Sequence, residues 1–142
     1  MIRSPGPRSM LSRRQLLHRF GGAAAVAFSL PAVTRTALAA PIFLDWPFQL
    51  GIASGEPTHD GVVLWTRLAP RPFEPGSGMP MAPVEVGWEI AEDERFRTIA
   101  QSGTAVARPE LGHAVHVEVA GLQPNRPYWY RFTAGAERSN PG

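Results

Sequence analysis

Histidine, cysteine, serine and paired carboxylates are where a chain of 142 residues would carry chemistry, and here they are sparse. Cysteine is absent, which removes a thiolate nucleophile, a thiolate zinc site and a disulfide framework together. Outside a basic leader that holds His18, the histidines are His59, His113 and His116. His113 and His116 stand three apart in a stretch that alternates like a strand, so they are expected on opposite faces, unable to share a metal. His116 shares its face with Glu118, which reads as a solvated cross-sheet pair. His59 and Asp60 adjoin a turn, where capping is the expected job rather than acid–base exchange. Ser54 lacks the glycine two residues before it that a nucleophile elbow needs. Ser77 lies between Gly76 and Gly78, but no lysine follows it, and the chain has none, so this is not a phosphate loop. Glu92, Asp93 and Glu94 are consecutive and fan around a turn. No catalytic or metal-ligating residue is expected in this chain.

Charge divides the chain. Residues 1–39 carry six arginines and no acid, whereas residues 40–142 carry eight arginines against all twelve acids, a balance of −4. The basic pI belongs to the leader, and the acidic remainder argues against a nucleic-acid binder. Residues 20–33 form an apolar run, and Ala37, Leu38 and Ala39 make a small-x-small cleavage site. The run is shorter than the ~20 apolar residues of a membrane span and is broken by Gly21, Gly22 and Pro31, so no stable span is expected. Arg13 and Arg14, followed by Gln15, Leu16 and Leu17, resemble the twin-arginine export signal. The expectation is a signal peptide at 1–39 and a periplasmic or secreted product, with the twin-arginine translocase as export partner. A general secretory signal and an uncleaved anchor are the alternatives.

Past residue 40 the period is two, not 3.6. Val84, Val86, Trp88 and Ile90 alternate with Glu85 and Glu89. Val115, Val117 and Val119 share one face, as do Tyr128, Tyr130 and Phe132. Residues 62–65 are apolar throughout, predicting a strand covered on both faces. Weaker strands are predicted at 50–54 and 99–106. Asp60 and Gly61 mark a hairpin, and 69–83, with five prolines, marks an irregular loop. Residues 92–96 are predicted as one helical turn, pinned to the core by Phe96 and Ile99. Leu122, Pro124 and Tyr128 have the spacing of the corner that enters the penultimate strand of fibronectin-III and immunoglobulin-like sandwiches, where the tyrosine hydroxyl bonds back to backbone. The fold expected is therefore an all-β, immunoglobulin/fibronectin-III-like β-sandwich over 50–142, after a linker at 40–49.

Four stretches together resemble one family: residues 50–57, 60–70, 84–96, and 116–119 with 122–132. Leu50, Gly51, Ala53, Ser54, Gly55 and Pro57, then Asp60, Gly61, Leu64, Trp65, Thr66 and Arg67, are its most specific part. This is similar to the N-terminal domain of PhoD-like alkaline phosphatases, over about residues 46–138. Glu56 stands where Asp is usual and His59 where Pro is common, both in a turn. The resemblance implies an exported phosphatase or phosphodiesterase whose separate catalytic domain binds iron and calcium through Asp, Cys, Asn and His residues. None of those transfers to this chain, so no cofactor is expected here. The resemblance also implies a further strand after 134–137. Residues 138–142 read as a turn with no strand following, so the sandwich is expected to be truncated, with its last strand missing and residues 128–134 left as a bare edge.

The function expected is that of an exported, non-catalytic fragment of such an enzyme, inactive alone, with the catalytic domain as its partner. The alternative is an independent secreted fibronectin-III-like module binding carbohydrate or protein. If the alternating apolar positions face inward, Trp65 and Trp129 face outward with Arg67 and Arg131. These four form either arginines stacked on tryptophans or an interdomain docking surface.

Overall fold

Period-two patterning becomes two antiparallel sheets in a computed structural model that describes residues 41–142. The strands are β1 (Ile52–Gly55), β2 (Val62–Arg67), β3 (Val84–Ala91), β4 (Ile99–Ala107), β5 (Ala114–Val119), β6 (Trp129–Ala134) and β7 (Glu137–Arg138). One sheet runs β1-β2-β5 and the other β4-β3-β6-β7. The leader, with Arg13, Arg14 and the expected cleavage at Ala37 and Ala39, lies outside the described residues.

Alternate side chains of β2, β3, β5 and β6, with Ala107 of β4, reach the common core. Leu64, Val115, Val117 and Val119 come from the first sheet; Val84, Val86, Ile90, Ala107, Phe132 and Ala134 come from the second. Burying an aliphatic or aromatic side chain of this size contributes about 1.5–3 kcal/mol, so these rows hold the sheets face to face. Trp88 also points inward, and its ring lies over Gly103, its partner on β4. A Cβ on residue 103 would sit 2.7 Å from that ring, which is why glycine interrupts an otherwise regular strand. On β2 the outer residues Val63 and Trp65 are only half-buried, so this apolar run is covered fully on one face.

Three expectations meet a different structure. Residues 41–49, assigned above to a linker, lie against the sandwich. Pro47 and Phe48 are fully buried, the Ala69 N–H donates to the Pro47 carbonyl at 2.8 Å, and Trp46 Nε1 donates to the Arg138 carbonyl at 2.9 Å. Two aromatic rings within four residues supply more apolar area than a solvated linker can leave in water.

Residues 92–96 form a turn rather than a helical turn. The Asp93 carboxylate accepts from the N–H groups of Arg95 (3.1 Å), Arg97 (3.0 Å) and Thr98 (2.9 Å), drawing the backbone into a hairpin loop. Phe96, at φ +55°, stacks against Arg131 and Ile99 stays 40% exposed, so neither pins this loop to the core.

The third difference is at the edge of β6. Gly135, at φ +58°, turns the chain so that β7 pairs back on β6, with Arg138 opposite Thr133 and Glu137 opposite Ala134. Beyond β7 the Ser139 N–H donates to the Phe132 carbonyl at 2.9 Å, and the Phe132 N–H donates to Ser139 Oγ at 3.0 Å. Gly142 and Tyr130 exchange two further backbone bonds, at 3.0 and 3.2 Å. The edge expected to be bare is covered, because seven residues after the turn suffice to retrace most of a six-residue strand.

Candidate functional site

The four residues proposed as one docking surface divide between two faces. Trp65 and Arg67 leave β2 on the outside of the three-stranded sheet, and Trp129 and Arg131 leave β6 on the outside of the four-stranded sheet. Neither arginine stacks on a tryptophan. The Arg67 Nε donates to the Gly112 carbonyl at 3.0 Å and its Nη2 reaches Ser77 Oγ at 3.5 Å. Arg131 lies across β3, with Nε and Nη2 both 2.6 Å from Glu89 Oε2, and its guanidinium sits 4.0 Å from the centroid of the Phe96 ring. Trp65 instead lies beside His116, its opposite number on β5, with ring centroids 6.3 Å apart. Of the partners of Arg131, Glu89 was visible above only as the wet position of an alternating strand, and Phe96 was expected to face the core rather than Arg131.

A cleft of about 240 Å³ opens at one end of the sandwich, between the 55–61 hairpin and the loop at 120–128. Leu64 and Ile90 floor it, Tyr128 and Tyr130 wall it, and Asp60 and Arg126 stand at its rim. The Gln123 N–H donates to Tyr128 Oη at 3.0 Å, fixing the loop that carries Leu122 and Pro124. Arg126 is already engaged by Glu92 at 3.1 Å, by Gln123 Oε1 at 2.9 Å and by the Tyr128 ring, 5.5 Å below it. His59 projects into solvent beside Asp60, at 3.4 Å. Ser54 also lines the cleft.

His113 sits just before β5 rather than on it, at φ +57°, and is buried with Nε2 3.2 Å from the Ala82 carbonyl. It closes the loop at 69–83 onto the sandwich, while His116 is exposed next to Glu118's face. Among the described residues no three His, Cys, Asp or Glu side chains gather as a metal site. The donor set that iron or calcium needs is not assembled by these residues. Also among them, no helix is long and apolar enough to cross a membrane.

What these elements define is a two-sheet domain in which, among the described residues, no buried side-chain polar atom is left unpaired and no metal-ligating cluster is assembled. The chain belongs to a family: its residues 34–142 match the PhoD-like phosphatase, N-terminal domain. It is 57% identical over 104 residues to alkaline phosphatase D of Bacillus subtilis (strain 168), an alignment covering 73% of this chain and 18% of that protein. It is also similar to a solved structure of PhoD, with a TM-score of 0.71 and 56% identity over 72% of this chain and 20% of that one. The chain thus spans about a fifth of the length of these relatives.

Proposed function

We propose that this chain is the exported, non-catalytic N-terminal domain of a PhoD-like alkaline phosphatase or phosphodiesterase, an enzyme that hydrolyses phosphate esters when its metal-binding catalytic domain is present. The observation that carries this reading is 57% identity to alkaline phosphatase D confined to 18% of that protein's length. Identity at that level over a whole sandwich supports placing the chemistry in the other four-fifths of the enzyme. In that enzyme iron and calcium would be held by the catalytic domain, and the sandwich would pack against it. Arg13 and Arg14 ahead of the apolar run, and Ala37 and Ala39 at its end, support export through the twin-arginine translocase to the periplasm or beyond. Strand orders of β1-β2-β5 and β4-β3-β6-β7, together with the Tyr128 hydroxyl bonded to the Gln123 backbone, support a fibronectin-III-like reading of the sandwich.

A chimera tests it. Residues 41–142 replace the matching segment of alkaline phosphatase D, and hydrolysis of a chromogenic phosphate monoester is compared with that of the unfused 142-residue chain supplied with iron and calcium. Activity is expected in the chimera alone. Hydrolysis by the unfused chain, or an inactive but folded chimera, would overturn the reading. For export, Arg13→Lys with Arg14→Lys should retain a fused reporter in the cytoplasm; undiminished export would remove the twin-arginine assignment.

A further inference from the structure

A sandwich of two open sheets has four edges, and here three of them are blunted. β1 is four residues long and runs into Glu56 and Pro57; β7 is two residues long and charged at both; β5 carries His116 and Glu118. Short strands, charge and proline are the devices that keep edges from pairing with other chains. β4 has none of them. It is the longest strand, nine residues, and contains no charge and no proline. Among the described residues its backbone pairs with β3 and with no other strand. Its outward side chains Ser102, Thr104 and Val106 are exposed and small.

We propose that the free edge of β4 pairs antiparallel with the same edge of a second copy of this chain, joining two four-stranded sheets into one. The occupant follows from the strand's own composition. The register of β4 against β3 slips at Ala100, so its regular stretch is 101–107, and within it a two-fold axis at Gly103 sets Ser102 opposite Thr104 and Gln101 opposite Ala105. Every pair is uncharged, and the central Ser–Thr pairs are of a kind that stabilises adjacent strands. Such an interface is isologous and closes at two copies. Pairing would also bring Val106, which stands 39% exposed, beside the second copy. The other edge of the same sheet is taken up by β7 and by Gly142 on Tyr130, so β4 is its opposite edge.

The register makes a sharp test, with the full chain followed by sedimentation velocity over a concentration series. Ser102 faces Thr104 of the second copy, so S102K/T104K sets lysine against lysine, whereas S102K/T104E sets lysine against glutamate. Wild type and S102K/T104E should dimerise, and S102K/T104K should weaken the dimer by at least about tenfold. A wild type that stays monomeric throughout, or two variants that associate equally, overturns the proposal. Association through any other surface would leave the variants alike. A second readout does not depend on the stability of the lysine variants. The chain has no native cysteine, so an equimolar mixture of S102C and T104C chains should cross-link on mild oxidation in higher yield than either alone. Equal yields would count against the register.

Discussion

Trp65 and Arg67 on β2, and Trp129 and Arg131 on β6, are the same two residue types at the same spacing, and they do different things. Arg131 finds a carboxylate on the neighbouring strand and a phenyl ring above it, and its side chain is only 17% exposed. Arg67 has no acid beside it, since Glu118 of β5 lies opposite Val63, and it bonds instead to a loop carbonyl, at Gly112, and to Ser77. The difference arises from register: β3 places Glu89 opposite Arg131, whereas β5 places Ala114 opposite Arg67. One arginine therefore locks two strands of a sheet together, and the other fastens two loops to a sheet. An outward Trp-x-Arg pattern predicts the face of a side chain but not its partner.

The comparison can be broken first at its base. If only the outer faces differ, the inner neighbours should be equivalent. Leu64→Ala on β2 should cost about 2–5 kcal/mol and Phe132→Ala on β6 about 3–5 kcal/mol, read from chemical denaturation, because both are fully buried in one core. A large disparity would mean that the two sheets do not share that core equally. The outer faces come next. Arg131→Ala should cost about 1–3 kcal/mol, since it strands a partly buried carboxylate, while Arg67→Ala should cost about 1 kcal/mol, the worth of a single hydrogen bond to a carbonyl. A double-mutant cycle of Glu89→Ala with Arg131→Ala should show coupling, and one of Glu89→Ala with Arg67→Ala should show none. Equal losses at both arginines would erase the distinction drawn above.

The strands and their faces were legible because burial on one side of a sheet forces period two into the sequence, as at Val84, Val86, Trp88 and Ile90. The hairpin at Asp60 and Gly61 was legible for a similar local reason. What was not legible depended on distant partners. Phe48 enters the core only because Ala69 returns to meet its neighbour Pro47. β7 exists because Gly135 folds the chain back onto β6, which no alternation within two residues can announce. The placement of the four outward side chains was illegible for the same reason: sheet membership, which separates them, is a property of the topology.

A smaller effect concerns the end cleft, where Tyr128→Phe removes the acceptor for the Gln123 N–H. That bond lies near solvent, so the loss should be about 0.5–1.5 kcal/mol, with the loop at 120–128 exchanging its amide hydrogens faster while β3 is unaffected. Unchanged exchange in that loop would show that Pro124 and Pro127 hold it without the hydroxyl.

The smallest effect is expected at Asp93, and pH reveals it. Burial at the base of the turn works against the charged form, but the Thr98 N–H, the Arg97 side chain and the Arg97 N–H outweigh it and hold the carboxyl below its ordinary value. A carboxyl lowered on folding contributes stability above its unfolded value, ~3.9, and that contribution is lost as pH falls through the folded value. Asp93→Asn keeps one acceptor oxygen but not the charge that holds Arg97 at 3.2 Å. The melting temperature of the variant should therefore lie below that of wild type near neutrality, and the gap should narrow as the solution is acidified below about pH 4. A gap independent of pH would assign the turn's stability to hydrogen-bond geometry alone. That would place it with the Arg67 contact, where a neutral carbonyl does the fastening, and not with Arg131, where a charge does.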